Sequence, residues 1–180
     1  MTLSGPADLR HVWVLRHAKA AADSPDGDDH SRPLTKRGRR QSEEVQQFLS
    51  EARSRGAPVP TLVVSSSAAR AIETAELVMP ALGADVTLDT ERYMYSASEE
   101  EVIDRLRRVE DEVRSMMVVG HNPAFAELVL VLVADADAPS RMRLQPYPTC
   151  ALAHISVSAR SWTDLVAGSG RLEELFVPQA

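Results

Sequence analysis

The chain has 180 residues, 44% of them apolar and 26% charged, enough for one domain (residues 1–180) with a real core. Its net charge of −6 argues against general binding to DNA, RNA or an anionic membrane, each of which needs a basic face. The single cysteine, Cys150, can form neither an internal disulfide nor a thiolate zinc site, and a reducing cytoplasm is the expected compartment.

Residues 1–9 read as a loose leader. Met1 to Pro6 offers neither a basic n-region nor an apolar h-region, so no signal peptide is expected. Arg10 to Leu15 reads as a first strand, apolar on both faces toward its end, and the chain leaves the sheet at Arg16 and His17. Residues 18–34 form a polar loop. Its crowded acids at 23–30 lack the glutamate that closes a calcium loop, so a solvated loop bordering the sheet edge is expected.

Thr35 suits a helix N-cap, with the helix running from about Lys36 to Arg55 and Gly56 ending it. A strand follows at Thr61 to Ser65. Ser66 or Ser67 then caps a helix over about Ala68 to Met79, which Pro80 stops. A short strand is expected at Asp85 to Leu88, and a helix after Ser98 with Val102, Ile103, Leu106 and Val109 inward. Ser115 to Val119 is a buried strand ending at Gly120 and His121. Asn122 caps the next helix, with Pro123 in its first position. That helix carries the most apolar window, 124–134, which includes Glu127 and is too short to span a bilayer. Residues 135–148, with Pro139, Pro146 and Pro148, read as irregular. Thr149 to Val157 and Leu172 to Val177 read as the last two strands. This alternation predicts an α/β fold, a three-layer α/β/α sandwich around a mostly parallel central sheet.

In open α/β sheets ligands sit outside the carboxyl ends of the strands. Three such ends carry Arg16 with His17, Arg70 in the first turn of a helix, and His121. Each residue alone has an ordinary structural reading; the coincidence on one edge predicts an anion site, and a phosphate in particular. Two arginines can hold the peripheral oxygens of a phosphoryl group, and a neutral imidazole is a competent nucleophile toward phosphorus. His17 is the candidate nucleophile and His121 a hydrogen-bond donor to the phosphoryl group. No cofactor and no metal are expected, since no carboxylate cluster stands ready to hold one. His11, His30 and His154 are read as structural or exposed.

Leu15-Arg16-His17-Ala18-Lys19 resembles the Arg-His-Gly signature of the histidine phosphatase superfamily, in the Arg-His-Ala form of its small SixA-type phosphohistidine phosphatase branch. Arg32-Pro33-Leu34-Thr35-Lys36-Arg37-Gly38, Ser65 to Ala75 and Val118-Val119-Gly120-His121-Asn122-Pro123 agree with it in order and spacing. The resemblance covers residues 10 to about 134 and, more weakly, the segment from Leu172 to Pro178. It implies a phosphoglycerate mutase-like fold and a covalent phosphohistidine intermediate on His17, with Arg16, Arg70 and His121 completing the phosphate pocket. Many relatives add an acid that protonates the leaving group, and Glu91 is the best-placed candidate here. The insertions that guide a sugar phosphate in the mutases are absent.

The leading expectation is therefore a metal-independent phosphatase, preferably acting on protein phosphohistidine. A phosphatase of small phosphomonoesters or nucleotides and a non-catalytic phosphate-binding module are the alternatives. The expected partner is a phosphorylated protein or a small phosphorylated molecule, not a nucleic acid or a membrane. The oligomeric state is left open.

Overall fold

In the computed structural model, which describes residues 9–133 and 146–180, the chain is built around β1 (Leu9–Arg16). Val12, Trp13, Val14 and Leu15 are inaccessible to solvent, so the strand is covered on both faces. Side-chain alternation divides them: Val12 and Val14 enter one apolar cluster, Trp13 and Leu15 the other. The other strands are β2 (Leu62–Ser66), β3 (Thr87–Glu91), β4 (Ser115–Gly120), β5 (Leu152–Ser158) and β6 (Gly170–Phe176). They form one sheet in the order β3-β2-β4-β1-β5-β6. The first four strands of that order are mutually parallel, and β5 runs antiparallel to both β1 and β6.

Helices α1 (Lys36–Ser54) and α2 (Ala69–Val78) cover one face; α3 (Glu99–Leu106) and α4 (Ala124–Leu132) cover the other. Val45, Leu49 and Ala75 pack with Trp13, Val63 and Met117 on the first face. Leu106, Phe125 and Leu128 pack with Val14, Val118 and Ile155 on the second. The expected three-layer sandwich with a mostly parallel sheet is what forms. Among the described residues no helix is long and apolar enough to cross a membrane.

Several boundaries differ from the sequence reading, for identifiable reasons. Thr35 and Ser98 cap as expected, Thr35 accepting the Gly38 amide at 3.0 Å and Ser98 forming a capping box with Glu101. For α2 the cap position is Ala68 rather than Ser66 or Ser67. Ser66 acts from two residues upstream, its Oγ accepting the Ala68 N–H at 3.2 Å. Asn122 does not cap α4; Pro123 takes that position, and the Asn122 amide donates to the Tyr147 carbonyl at 2.9 Å.

Pairing with β2 moves β3 to 87–91, so Glu91 closes the strand rather than following it. β5 starts three residues later than expected because Cys150, at φ 62°, turns its N–H onto the carbonyls of Arg16 and His17, 3.1 Å from each. The last strand, expected at Leu172 to Val177, occupies Gly170–Phe176. Leu9 belongs to β1, and the rest of the expected leader lies outside the described residues, as does most of 135–148.

Gly120, the last residue of β4, touches the core directly: a Cβ there would lie 2.4 Å from the ring of Phe125, which is 1% exposed. Gly120→Ala should cost about 1–3 kcal/mol of stability by overpacking. Denaturant unfolding checks this, and an unchanged midpoint would contradict the packing described.

Candidate active site

β2, β4 and β1 are neighbours in the sheet and run the same way, so their C-terminal ends share one edge. β1 ends at Arg16 with His17 next; β4 ends at Gly120 with His121 next; Arg70 stands in the first turn of α2, just after β2. Arg16, His17, Arg70 and His121 line one cavity of about 400 Å³. The structure thus brings together the four residues singled out on this edge.

His17 is fixed twice. Its backbone N–H donates to the Gly120 carbonyl at 2.9 Å, and its Nδ1 lies 2.8 Å from the Ala18 carbonyl oxygen. A carbonyl only accepts, so Nδ1 carries the hydrogen and Nε2 keeps its lone pair. Burial pushes the pKa of His17 down to about 4, and Arg70 and Arg16 push the same way. The ring is neutral at physiological pH.

His121 lies with its ring centroid 5.0 Å from that of His17, and its Nε2 is 2.8 Å from the Ser66 Oγ. Ser66 is fully buried and already accepts the Ala68 N–H. Its hydroxyl hydrogen is satisfied by donation to His121 Nε2, which leaves the His121 hydrogen on Nδ1. Burial, then His17 and Arg70, push His121 down to about 3, so this ring is neutral as well.

The arginines are anchored at their tips. Arg16 Nη1 donates to the Tyr147 carbonyl at 2.8 Å, and the buried Tyr147 hydroxyl donates to the Val14 carbonyl at 2.6 Å. Arg70, 5% exposed, donates from Nη1 to the Asp29 carbonyl at 2.7 Å and from Nη2 to Asp29 Oδ2 at 3.0 Å. Tyr95 donates to the same carboxylate oxygen at 2.5 Å and Arg32 Nε to Oδ1 at 2.7 Å. The Tyr95 hydroxyl, with Arg32 and Arg70, holds the Asp29 carboxyl far below the usual carboxylate range. Two nitrogens stand out: the Nε atoms of Arg16 and Arg70 are buried and have no acceptor among the described residues. A third such nitrogen, on Arg10, sits at the opposite end of β1, with the Arg10 guanidinium over the Trp162 ring.

Glu91 is not brought to this cavity. It ends the edge strand β3 and its carboxylate is engaged by Arg105, which also reaches Asp89 at 2.9 Å. The sequence reading missed Asp29, Tyr95, Arg32, Lys19 and Asn122, of which all but Asp29 line the cavity. In the sequence Asp29 belongs to a solvated acidic run, and the signal that sets it apart is that a buried Arg70 needs an anionic partner. His11 and His154 are structural, 3.0 Å apart between ring nitrogens, with His154 stacked on Trp13. His30 Nε2 meets Ser67 Oγ at 2.9 Å. Among the described residues no three His, Cys, Asp or Glu side chains cluster as metal ligands.

Comparison with known proteins follows the same lines. A sequence model of the histidine phosphatase superfamily (branch 1) matches residues 12–92. An uncharacterised protein of Mycobacterium tuberculosis is 32% identical over 169 residues, spanning 92% of this chain and all of the relative. A structure from Nakamurella multipartitia, assigned as the phosphohistidine phosphatase SixA, superposes with a TM-score of 0.80 at 26% identity, covering 98% of this chain and 100% of that one. A SixA from Agrobacterium tumefaciens, assigned likewise, gives 0.75 at 27% identity over 94% and 98% of the two chains. The sheet order, the Arg-His end of β1 and these matches agree: the chain belongs to the histidine phosphatase superfamily, in its SixA-type branch, and is a phosphatase.

Proposed function

We propose that the whole chain acts as one domain that removes phosphoryl groups from protein phosphohistidine in the cytoplasm, without a metal, by way of a phosphoryl group carried on His17. The observation that carries this reading is a neutral His17, hydrogen fixed on Nδ1 and lone pair on Nε2, in one cavity with Arg16, Arg70 and His121.

In the first step the Nε2 lone pair forms a bond to phosphorus while the bond to the leaving nitrogen breaks, its electron pair going to the leaving group. Arg16 and Arg70 donate to the equatorial oxygens and His121 donates from Nδ1, where charge gathers in the transition state. In the second step a water oxygen attacks phosphorus, the bond to His17 breaks with its electron pair returning to Nε2, and the product leaves as dihydrogen phosphate carrying both of the water's protons. The first arginine is steadied by Tyr147 and the second by Asp29, so little reorganisation is needed.

The leaving group follows from the acids. Asp29 stays charged under Tyr95, Arg32 and Arg70, and Glu91 is engaged by Arg105 outside the cavity. Neither serves as a proton donor. An alkoxide leaving group would need one. A phosphohistidine ring protonated on its other nitrogen departs as neutral imidazole and needs no acid at the departing atom. The likeness to proteins assigned as phosphohistidine phosphatases supports the same choice.

His17→Ala should lower turnover of a phosphohistidine protein by at least about a thousandfold with unfolding unchanged; wild-type rates would contradict the mechanism. Arg70→Ala should raise KM and lower kcat together. Phosphohistidine should be cleaved faster than p-nitrophenyl phosphate, and a chelator should change neither rate. The pH profile gives an independent check. A depressed pKa keeps the lone pair available down to low pH, so activity should fall only as pH drops through about 4. A loss of activity toward acid pH already centred near the free imidazole value of about 6.5 would contradict the assignment; loss toward alkaline pH reports the substrate ring instead.

A further inference from the structure

The cavity holds more positive charge than one phosphoryl group requires. Arg16, Arg70, Arg32 and Lys19 line it. Among the described residues Asp29 is the one carboxylate ion-paired to this set, binding Arg70 at 3.0 Å and Arg32 at 2.7 Å. The set therefore carries a net charge of three, against two for a phosphoryl dianion. The surplus resides on Lys19. It is exposed, and it takes part in none of the ion pairs among the described residues, in contrast to Arg39, which is paired with Glu73.

Lys19 is also held in place from below. Its N–H donates to Gln41 Oε1 at 3.0 Å, and its carbonyl accepts the Thr35 N–H at 2.9 Å and the Thr35 hydroxyl at 3.0 Å. Gly38 in the first turn of α1 packs so closely that a Cβ there would lie 2.2 Å from the Lys19 oxygen. A fixed backbone two residues past His17 thus carries an exposed lysine that lines the cavity. In the same region α1 starts with Lys36, Arg37, Arg39 and Arg40 and no acid in its first turn, so nothing nearby in that turn neutralises it.

We propose that Lys19 forms a second anion subsite, which selects substrates carrying a carboxylate close to the transferred phosphoryl group. The proposal rests on the phosphatase reading above and adds the substrate feature that the rim recognises. The carboxylate can belong to an acidic residue flanking a phosphohistidine or to a small phosphorylated acid, and the two are told apart by experiment. Lys19 acts on the second anion, not on the reacting atoms, so its contribution is to KM and is screened by salt.

The test measures kcat/KM for two matched pairs. One is a phosphohistidine peptide with aspartate or alanine beside the phosphorylated residue; the other is 3-carboxyphenyl phosphate and phenyl phosphate. The wild-type protein should prefer the carboxylate-bearing member of at least one pair by about fivefold, through KM, and the preference should shrink as ionic strength rises. The pair that shows it identifies the source of the carboxylate. Lys19→Met should bring the ratio to about one and Lys19→Arg should restore it. Equal rates for both pairs in the wild-type protein would overturn the proposal. So would Lys19→Met slowing both members of a pair by one common factor, since that places Lys19 on the phosphoryl group itself. No turnover of any of the four compounds would overturn the phosphatase reading and this subsite with it.

Discussion

Everything at the active edge depends on how β1 stops. The strand is buried along its centre, flanked by β4 on one side and β5 on the other. At its end the backbone is clamped from both neighbours: the His17 N–H reaches the Gly120 carbonyl, and the Cys150 N–H reaches the carbonyls of Arg16 and His17. The Ala18 amide continues the clamp by donating to Thr74 Oγ1 of α2 at 3.0 Å. These bonds leave the backbone of residues 16–18 little freedom. A nucleophile mounted on such a support loses little entropy when it reacts.

The second constraint is electrostatic. Burial and the nearby Arg70 both disfavour a charged ring at His17 and at His121, and both histidines stay neutral. Burial is the larger cause for both. The same cationic setting thus keeps the Nε2 lone pair of His17 unprotonated. Asp29 moderates the field. It holds Arg70 in position through two bonds and is itself fixed by Tyr95 and Arg32, so it offers charge but no proton. Arg10, at the other end of β1, provides a contrast. It is fully buried, and its terminal nitrogens are spent on Asp111, Val113 and Arg160.

Much of this was legible in the sequence because it is local. Apolar runs that end abruptly mark buried parallel strands, and Thr35 and Ser98 announce their helices by side-chain chemistry. That Arg16, His17, Arg70 and His121 meet also follows from a general rule of sheet geometry. What remained hidden depends on contacts distant in sequence. Glu91 lies close to a strand end in sequence, but the sheet order puts that end three strands from β1, and Arg105 claims the carboxylate. Asp29 and Tyr95 are separated by 66 residues and acquire meaning only once both face Arg70. Ser66 is one of two cap candidates in the sequence, with Ser67, and only the three-dimensional arrangement brings its hydroxyl to His121 Nε2.

The central claim is that His17 becomes phosphorylated during turnover. Rapid quenching of the protein mixed with a radiolabelled phosphohistidine protein tests it most directly. Label should appear on the enzyme in an acid-labile, alkali-stable form, map to His17, and vanish in His17→Ala. Turnover without such label, or label that persists in that variant, would contradict the account.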